Sequence, residues 1–220
     1  VTKKVEFIPV TDFKGIPKLI PSQLNGANEV PMYLKDMQTN FWLKELPEKG
    51  ALYFQYNQVR DMKNESIASF SKRLDSVLSA IKPKLFIIDV RHNNGGNKNL
   101  LPPLIDVMKK YKTVNPSTKI VVITGRNTFS AAQVFISLLD KEIKVLFAGE
   151  PSSSKPNFVG EENRIQLPWS GAVGSISNRY HENIPGDKRK WIKPNFSIPF
   201  YSKQYFNNQD PVMDFLLSNF

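Results

Sequence analysis

Two rhythms of apolar residues alternate along this chain and sort most of it into elements. In Ala51–Val59, ALYFQYNQV, the residues Leu52, Phe54 and Tyr56 recur at every second position, the period of a strand. Between Glu65 and Lys82, Ile67, Phe70, Leu74, Val77, Leu78 and Ile81 share one face at helical spacing. KLFIIDV at Lys84–Val90 is continuously apolar, as strands covered on both faces are. Asn97–Lys112 reads as a second helix with Leu101, Leu104, Ile105 and Met108 inward. Its Pro102 and Pro103 fall in the first turn, where a missing N–H costs little. KIVVIT at Lys119–Thr124 is a strand, Ser130–Lys141 a helix and Lys144–Gly149 another buried strand. This alternation predicts an α/β domain with parallel crossovers. Further on, Arg164–Leu167 and Val173–Ser177 read as short strands around a Pro-Trp-Ser-Gly turn, and Pro211–Asn219 as a closing helix.

The first fifty residues follow neither rhythm. Prolines at 9, 17, 21, 31 and 47 interrupt any long element, and only YLKDMQTNFWLKEL, residues 33–46, has helical amphipathicity. Residues 1–50 are therefore expected to form an irregular segment wrapping a core made by 51–220. No internal repeat is visible.

Composition narrows the class. The chain has 220 residues, 40% of them hydrophobic and 11% aromatic, enough for a substantial core. No apolar run reaches membrane-spanning length. Cysteine is absent, which excludes disulfides, thiol nucleophiles and thiolate metal sites. That composition fits an exported protein, and Val1 is expected to follow a removed or omitted segment. The net charge of +10 is spread out; the densest basic patch, DKRKW at Asp187–Trp191, begins with an acid. Scattered solvated lysines explain it better than a nucleic-acid partner.

In α/β sheets the loops after strand C-termini carry function. Arg91–Asn97, RHNNGGN, has two glycines that let backbone N–H groups converge on an anion; an ordinary Asn/Gly turn reads the same way. Gly125–Ala132, GRNTFSAA, puts Ser130 at a helix start, suited to a nucleophile or to a plain N-cap. Glu150–Gly160, EPSSSKPNFVG, carries Lys155; Ser154 and Pro156 break any phosphate-loop pattern. Of the two histidines, His92 lies in the glycine loop and is a second-choice base, while His181 reads as a surface residue. Two isolated histidines make a poor metal site.

Together the three loops resemble one family. DVRHNNGGN is similar to the D-L-R-x-N-x-G-G segment of the S41 peptidases, the carboxyl-terminal processing or tail-specific proteases. TFSAAQVFISLL resembles their nucleophile helix and LFAGEPSSSKPN their lysine loop. Ser130 and Lys155 stand 25 positions apart, the family's spacing. QLPWSG, KWIKPNFSIPF and DPVMDFLL resemble the family's tail, so the resemblance runs from about Ala51 onward.

The resemblance implies a crotonase-like α/β core of ββα units. It implies a serine endopeptidase acting on polypeptides through an acyl-enzyme, with Ser130 as nucleophile and Lys155 as base. Backbone N–H groups of Ala131 and of the Gly95–Gly96 turn would form the oxyanion hole, with no metal or organic cofactor. It also implies an extracytoplasmic, bacterial-like setting. Three departures stand beside it: Gln133 replaces the usual Glu, Pro156-Asn157 follow the lysine, and Val159 occupies the place of a lysine-orienting Gln. Glu161 or Glu162 could take that orienting role. No PDZ-like segment is visible. A peptide-holding scaffold without efficient cleavage, and a hydrolase of other esters or amides, remain the alternatives.

Overall fold

Six strands form one sheet in the order β1-β2-β3-β4-β5-β8 in the computed structural model, which describes residues 29–220. They are β1 (Phe41–Leu46), β2 (Ala51–Tyr56), β3 (Leu85–Asp89), β4 (Lys119–Thr124), β5 (Leu146–Gly149) and β8 (Phe196–Ser197). β2, β3, β4, β5 and β8 run parallel to one another, and in this sheet only β1 is antiparallel, joined to β2 by a tight turn at Pro47–Gly50. Parallel neighbours need crossovers, and three helices supply those from β2 to β5: α1 (Ile67–Ile81), α2 (Pro102–Val114) and α3 (Ala131–Ile143). The proline-broken stretch at 1–28 lies outside the described residues.

Strand alternation divides the core into two layers. Leu52, Phe54, Tyr56, Phe86, Ile88 and Val122 face α1–α3, meeting Phe70, Leu74, Leu104, Met108 and Phe135. Ala51, Tyr53, Ile87 and Val121 face the opposite side, where α5 (Pro211–Asn219), which follows the short α4 (Ser202–Phe206), packs Val212, Met213 and Leu216. Ser66 caps α1 by accepting from the Ser69 N–H, and Lys82 ends it in a left-handed conformation.

One expectation is corrected here. Residues 33–46 do not form a helix. Asp36, at φ 47, breaks the stretch after a single 3-10 turn, and Phe41–Leu46 become an edge strand paired from Phe41↔Tyr56 to Leu46↔Ala51. The ladder bonds to β2 and the aromatic Phe41 and Trp42, which suit a pleated surface, outweigh the helical spacing. Part of the stretch expected to wrap the core is thus a strand of the main sheet. Beyond β5, the hairpin of β6 (Phe158–Gln166) and β7 (Val173–His181) forms a separate two-stranded sheet.

The sheet's two sides are tied together at the loop after β3. The buried Arg91 guanidinium reaches Asp89 through Nε (3.0 Å) and Asp210 through Nη1 (3.1 Å) and Nη2 (2.9 Å). Burial opposes the charge on Arg91, but the two carboxylates outweigh it and raise its pKa further. Asp210 also caps α5, accepting from the Val212 and Met213 N–H groups. Removing one partner of a buried ion pair leaves an uncompensated charge, at a cost of about 3–5 kcal/mol. Asp210→Ala should therefore lower unfolding free energy by that order in urea titrations. Asp210→Asn, which keeps a capping oxygen, should lose less.

Candidate functional site

Three loops, each following a parallel strand, meet at the start of α3. Thr128 joins the first two: its Oγ1 donates to the Val90 carbonyl (2.9 Å) and accepts from the Gly125 N–H (3.1 Å). The Phe129 N–H adds a bond to the Asn93 carbonyl at 3.1 Å. Ser153 joins the third, since its N–H and its Oγ both donate to the Thr128 carbonyl, at 3.1 and 3.0 Å. Fully buried Asn93 anchors the glycine turn: its Nδ2 donates to the Tyr56 carbonyl, and its Oδ1 accepts from the Gly95 N–H.

The glycine turn is wedged between two backbones. Gly96 lies against β2's continuation, where the Asn97 N–H donates to the Val59 carbonyl and the Val59 N–H to the Gly95 carbonyl, both at 2.8 Å. A Cβ on Gly96 would fall 2.1 Å from the Val59 carbonyl oxygen, and one on Gly95 would fall 2.6 Å from Ser130 Cβ. Both glycines also have positive φ, 115° and 137°.

Ser130 itself has φ 54° and ψ −123°, a backbone conformation that L-residues rarely adopt. Its side chain makes no capping bond to α3, so it is not the N-cap that its sequence position also allowed. Half-buried, it stands at the positive end of a 13-residue helix. Among the described residues, the N–H groups of Gly96 and Ala131 have no acceptor, whereas that of Gly95 is committed to Asn93. Gly96 and Ala131, with Ser130, line a cavity of about 220 Å³.

The rest of that cavity is lined by residues that the sequence did not place beside Ser130. Lys98 reaches it from the turn after the glycines, and Val134 from α3. Phe158, Glu161, Arg179 and His181 reach it from the β6–β7 hairpin. His181, expected at the surface, is instead buried: β6 and β7 pair it with Phe158, and its ring packs 5.3 Å from the Phe158 ring. Its Nδ1 lies 3.3 Å from Lys98 Nζ, and its Nε2 3.5 Å from Glu161 Oε1. Burial and the neighbouring Lys98 ammonium hold its pKa below the ordinary histidine value. Only the alternation of β7 hinted at an inward His181; its meeting with Lys98 depends on tertiary structure.

The two candidate bases lie elsewhere. Lys155 is exposed and does not line the cavity, although its loop is bonded to the loop that ends at Ser130 through Ser153. Glu161, considered as its orienting partner, contacts His181 instead. His92 lines a different cavity, beside Tyr33, Arg91 and Asn127, and its ring stacks on Tyr33 at 5.7 Å. Among the described residues, its buried Nε2 has no hydrogen-bond partner.

Comparison with solved structures identifies the fold. The chain is similar to a structure described as a peptidase from Parabacteroides merdae, with a TM-score of 0.54 at 14% identity, covering 81% of this chain and 64% of that one. It is similar to an S41 protease structure from Bacteroides fragilis, with a TM-score of 0.51 at 13% identity, covering 81% of this chain and 56% of that one. Mature CPAF complexed with lactacystin matches with a TM-score of 0.50 at 12% identity, over 76% of this chain and 50% of that one. The fold is thus that of the S41 peptidases, and the chain spans less than two thirds of each of these structures. No protein-family model matches the sequence, and no curated protein does. No helix among the described residues is long and apolar enough to cross a membrane.

Two predictions follow from this geometry. Gly95→Ala must displace Ser130 or the start of α3, and overpacking of this kind costs about 1–3 kcal/mol. Its melting temperature should fall, and Ser130 should lose reactivity toward a fluorophosphonate even in the folded fraction. His92 is held below its ordinary pKa of 6.5, chiefly by burial, so the folded state binds fewer protons than the unfolded chain. Its contribution to stability is complete above that pH and declines as pH falls toward the lowered folded value. Urea midpoints should therefore drop between pH 7.5 and 5.5, and less so in His92→Gln.

Proposed function

We propose that this protein is a serine hydrolase that cleaves peptide bonds through an acyl-enzyme at Ser130. The observation that carries this reading is the strained backbone of Ser130, which leaves its hydroxyl free of capping near two N–H groups that have no acceptor among the described residues. In the reaction Ser130 Oγ attacks the substrate carbonyl carbon and gives its proton to a base. The carbonyl oxygen becomes an oxyanion facing the Gly96 and Ala131 N–H groups, where preorganised donors act most strongly. Collapse breaks the C–N bond as the amine takes the proton, and water then releases the acyl group from Ser130.

Lys155 is the base in this proposal. Its support is the pair of bonds from Ser153 to Thr128, which hold the lysine's loop against the loop ending at Ser130. A lysine accepts a proton only when neutral, and desolvation by bound substrate favours that form. An extracytoplasmic setting, with polypeptides as substrates, fits the cysteine-free composition. The exposure of Lys155 outside the cavity favours a second reading, a peptide-binding scaffold that does not cleave.

A fluorophosphonate probe separates the two. Labelling should map to Ser130 and vanish in Ser130→Ala, whose melting temperature should stay close to that of the parent because no cap is lost. Lys155→Ala should reduce peptide hydrolysis by about 10²–10⁴, the usual worth of general-base catalysis. Lys155→Arg should not restore it, since arginine keeps its proton. An unlabelled Ser130 in folded protein would leave the scaffold; full hydrolysis by Lys155→Arg with none by His92→Ala would make His92 the base.

A further inference from the structure

The cavity beside Ser130 concentrates positive charge. Lys98 enters from one wall and Arg179 from the other, where β7 pairs it with Gly160. Among the described residues neither has a carboxylate within salt-bridge distance, whereas Arg73, Arg91, Arg126 and Arg189 all do. Both side chains are exposed, so their charges stand open to an arriving anion. The one carboxylate lining the cavity, Glu161, points an oxygen at His181 rather than at either cation. His181 in turn, through its Nδ1 at 3.3 Å, holds the Lys98 ammonium in place. Val134 and Phe158 supply an apolar wall that can cover the methylenes of a guest. The volume of about 220 Å³ is room for one side chain rather than a length of chain.

We propose that this cavity is a specificity subsite for an acidic side chain, an aspartate or glutamate near the scissile bond, held by Lys98 and Arg179. Arginine suits the task because its planar fork matches a carboxylate. The assignment rests on Ser130 as the reacting group, since it places the subsite at the cleaved bond. The carboxylate could in principle come from a side chain or from a chain terminus, and only the first belongs to the proposal.

Binding can be read without turnover. Dye-labelled peptides with amidated C-termini, carrying one Glu or one Gln at successive positions, are titrated against Ser130→Ala and followed by fluorescence anisotropy. At one position the Glu peptide should bind about 10- to 100-fold more tightly than its Gln counterpart, as hydrogen bonds to charged groups allow. Adding Lys98→Ala and Arg179→Ala should abolish that difference. Lys188→Ala with Lys190→Ala removes equal charge from exposed positions and should leave the preference intact. Equal binding of Glu and Gln peptides at every position, including none, would overturn the proposal, as would a preference that survives loss of both cations. A Gln peptide with a free C-terminus that binds as tightly as the best Glu amide would assign the site to chain termini and overturn it too. Fluorophosphonate labelling of parent Ser130, run alongside, reports on the hydrolase reading separately.

Discussion

Everything at the candidate site depends on the absence of two side chains. Gly95 and Gly96 fill a gap between the end of one strand and the start of one helix that no Cβ can enter. Because the turn lies that close, Gly95 abuts Ser130 with no room for a side chain between them, and Gly96 lines the same cavity. Val59 fixes the turn from the strand side with two backbone bonds, and Asn93 fixes it from below. The constraint is steric first and electrostatic second: contact sets the spacing, and the N–H groups then have somewhere to point.

The surrounding fold makes that contact rigid. Parallel strands release their loops on one edge of the sheet, so sequence-distant segments arrive side by side. Thr128 and Asn93 then bond across those loops, which removes the freedom that loops ordinarily keep. Arg91 extends the same logic to the opposite layer by gripping Asp210 at the head of α5. A helix that touches no part of the cavity therefore helps to hold the loop that forms it.

How much of this could be read from the chain depends on how local the cause was. Continuous apolar runs such as KLFIIDV and one-faced helices such as Ile67–Ile81 carry their own instructions, and they appear in the sheet and helix layer with ends shifted by a few residues. Phe41–Leu46 misled because its apolar spacing suits a helix while its partner strand lies across a turn. β8 is two residues long and leaves no pattern to detect. At the site, Ser130 and the glycine turn were legible from residue type and position. Their contact entered only through the family resemblance, and the meeting of Lys98 with His181, which are 83 positions apart and joined only by tertiary packing, left no signal.

The backbone of Ser130 has a consequence for mutational drift. Strain of this kind costs about 1–3 kcal/mol, and glycine alone adopts such angles freely. A change of Ser130 to glycine would thus be rewarded by stability while deleting the hydroxyl. Random change at this position runs downhill toward a sturdier protein that lacks the hydroxyl. Only a demand for the hydroxyl itself opposes that slide.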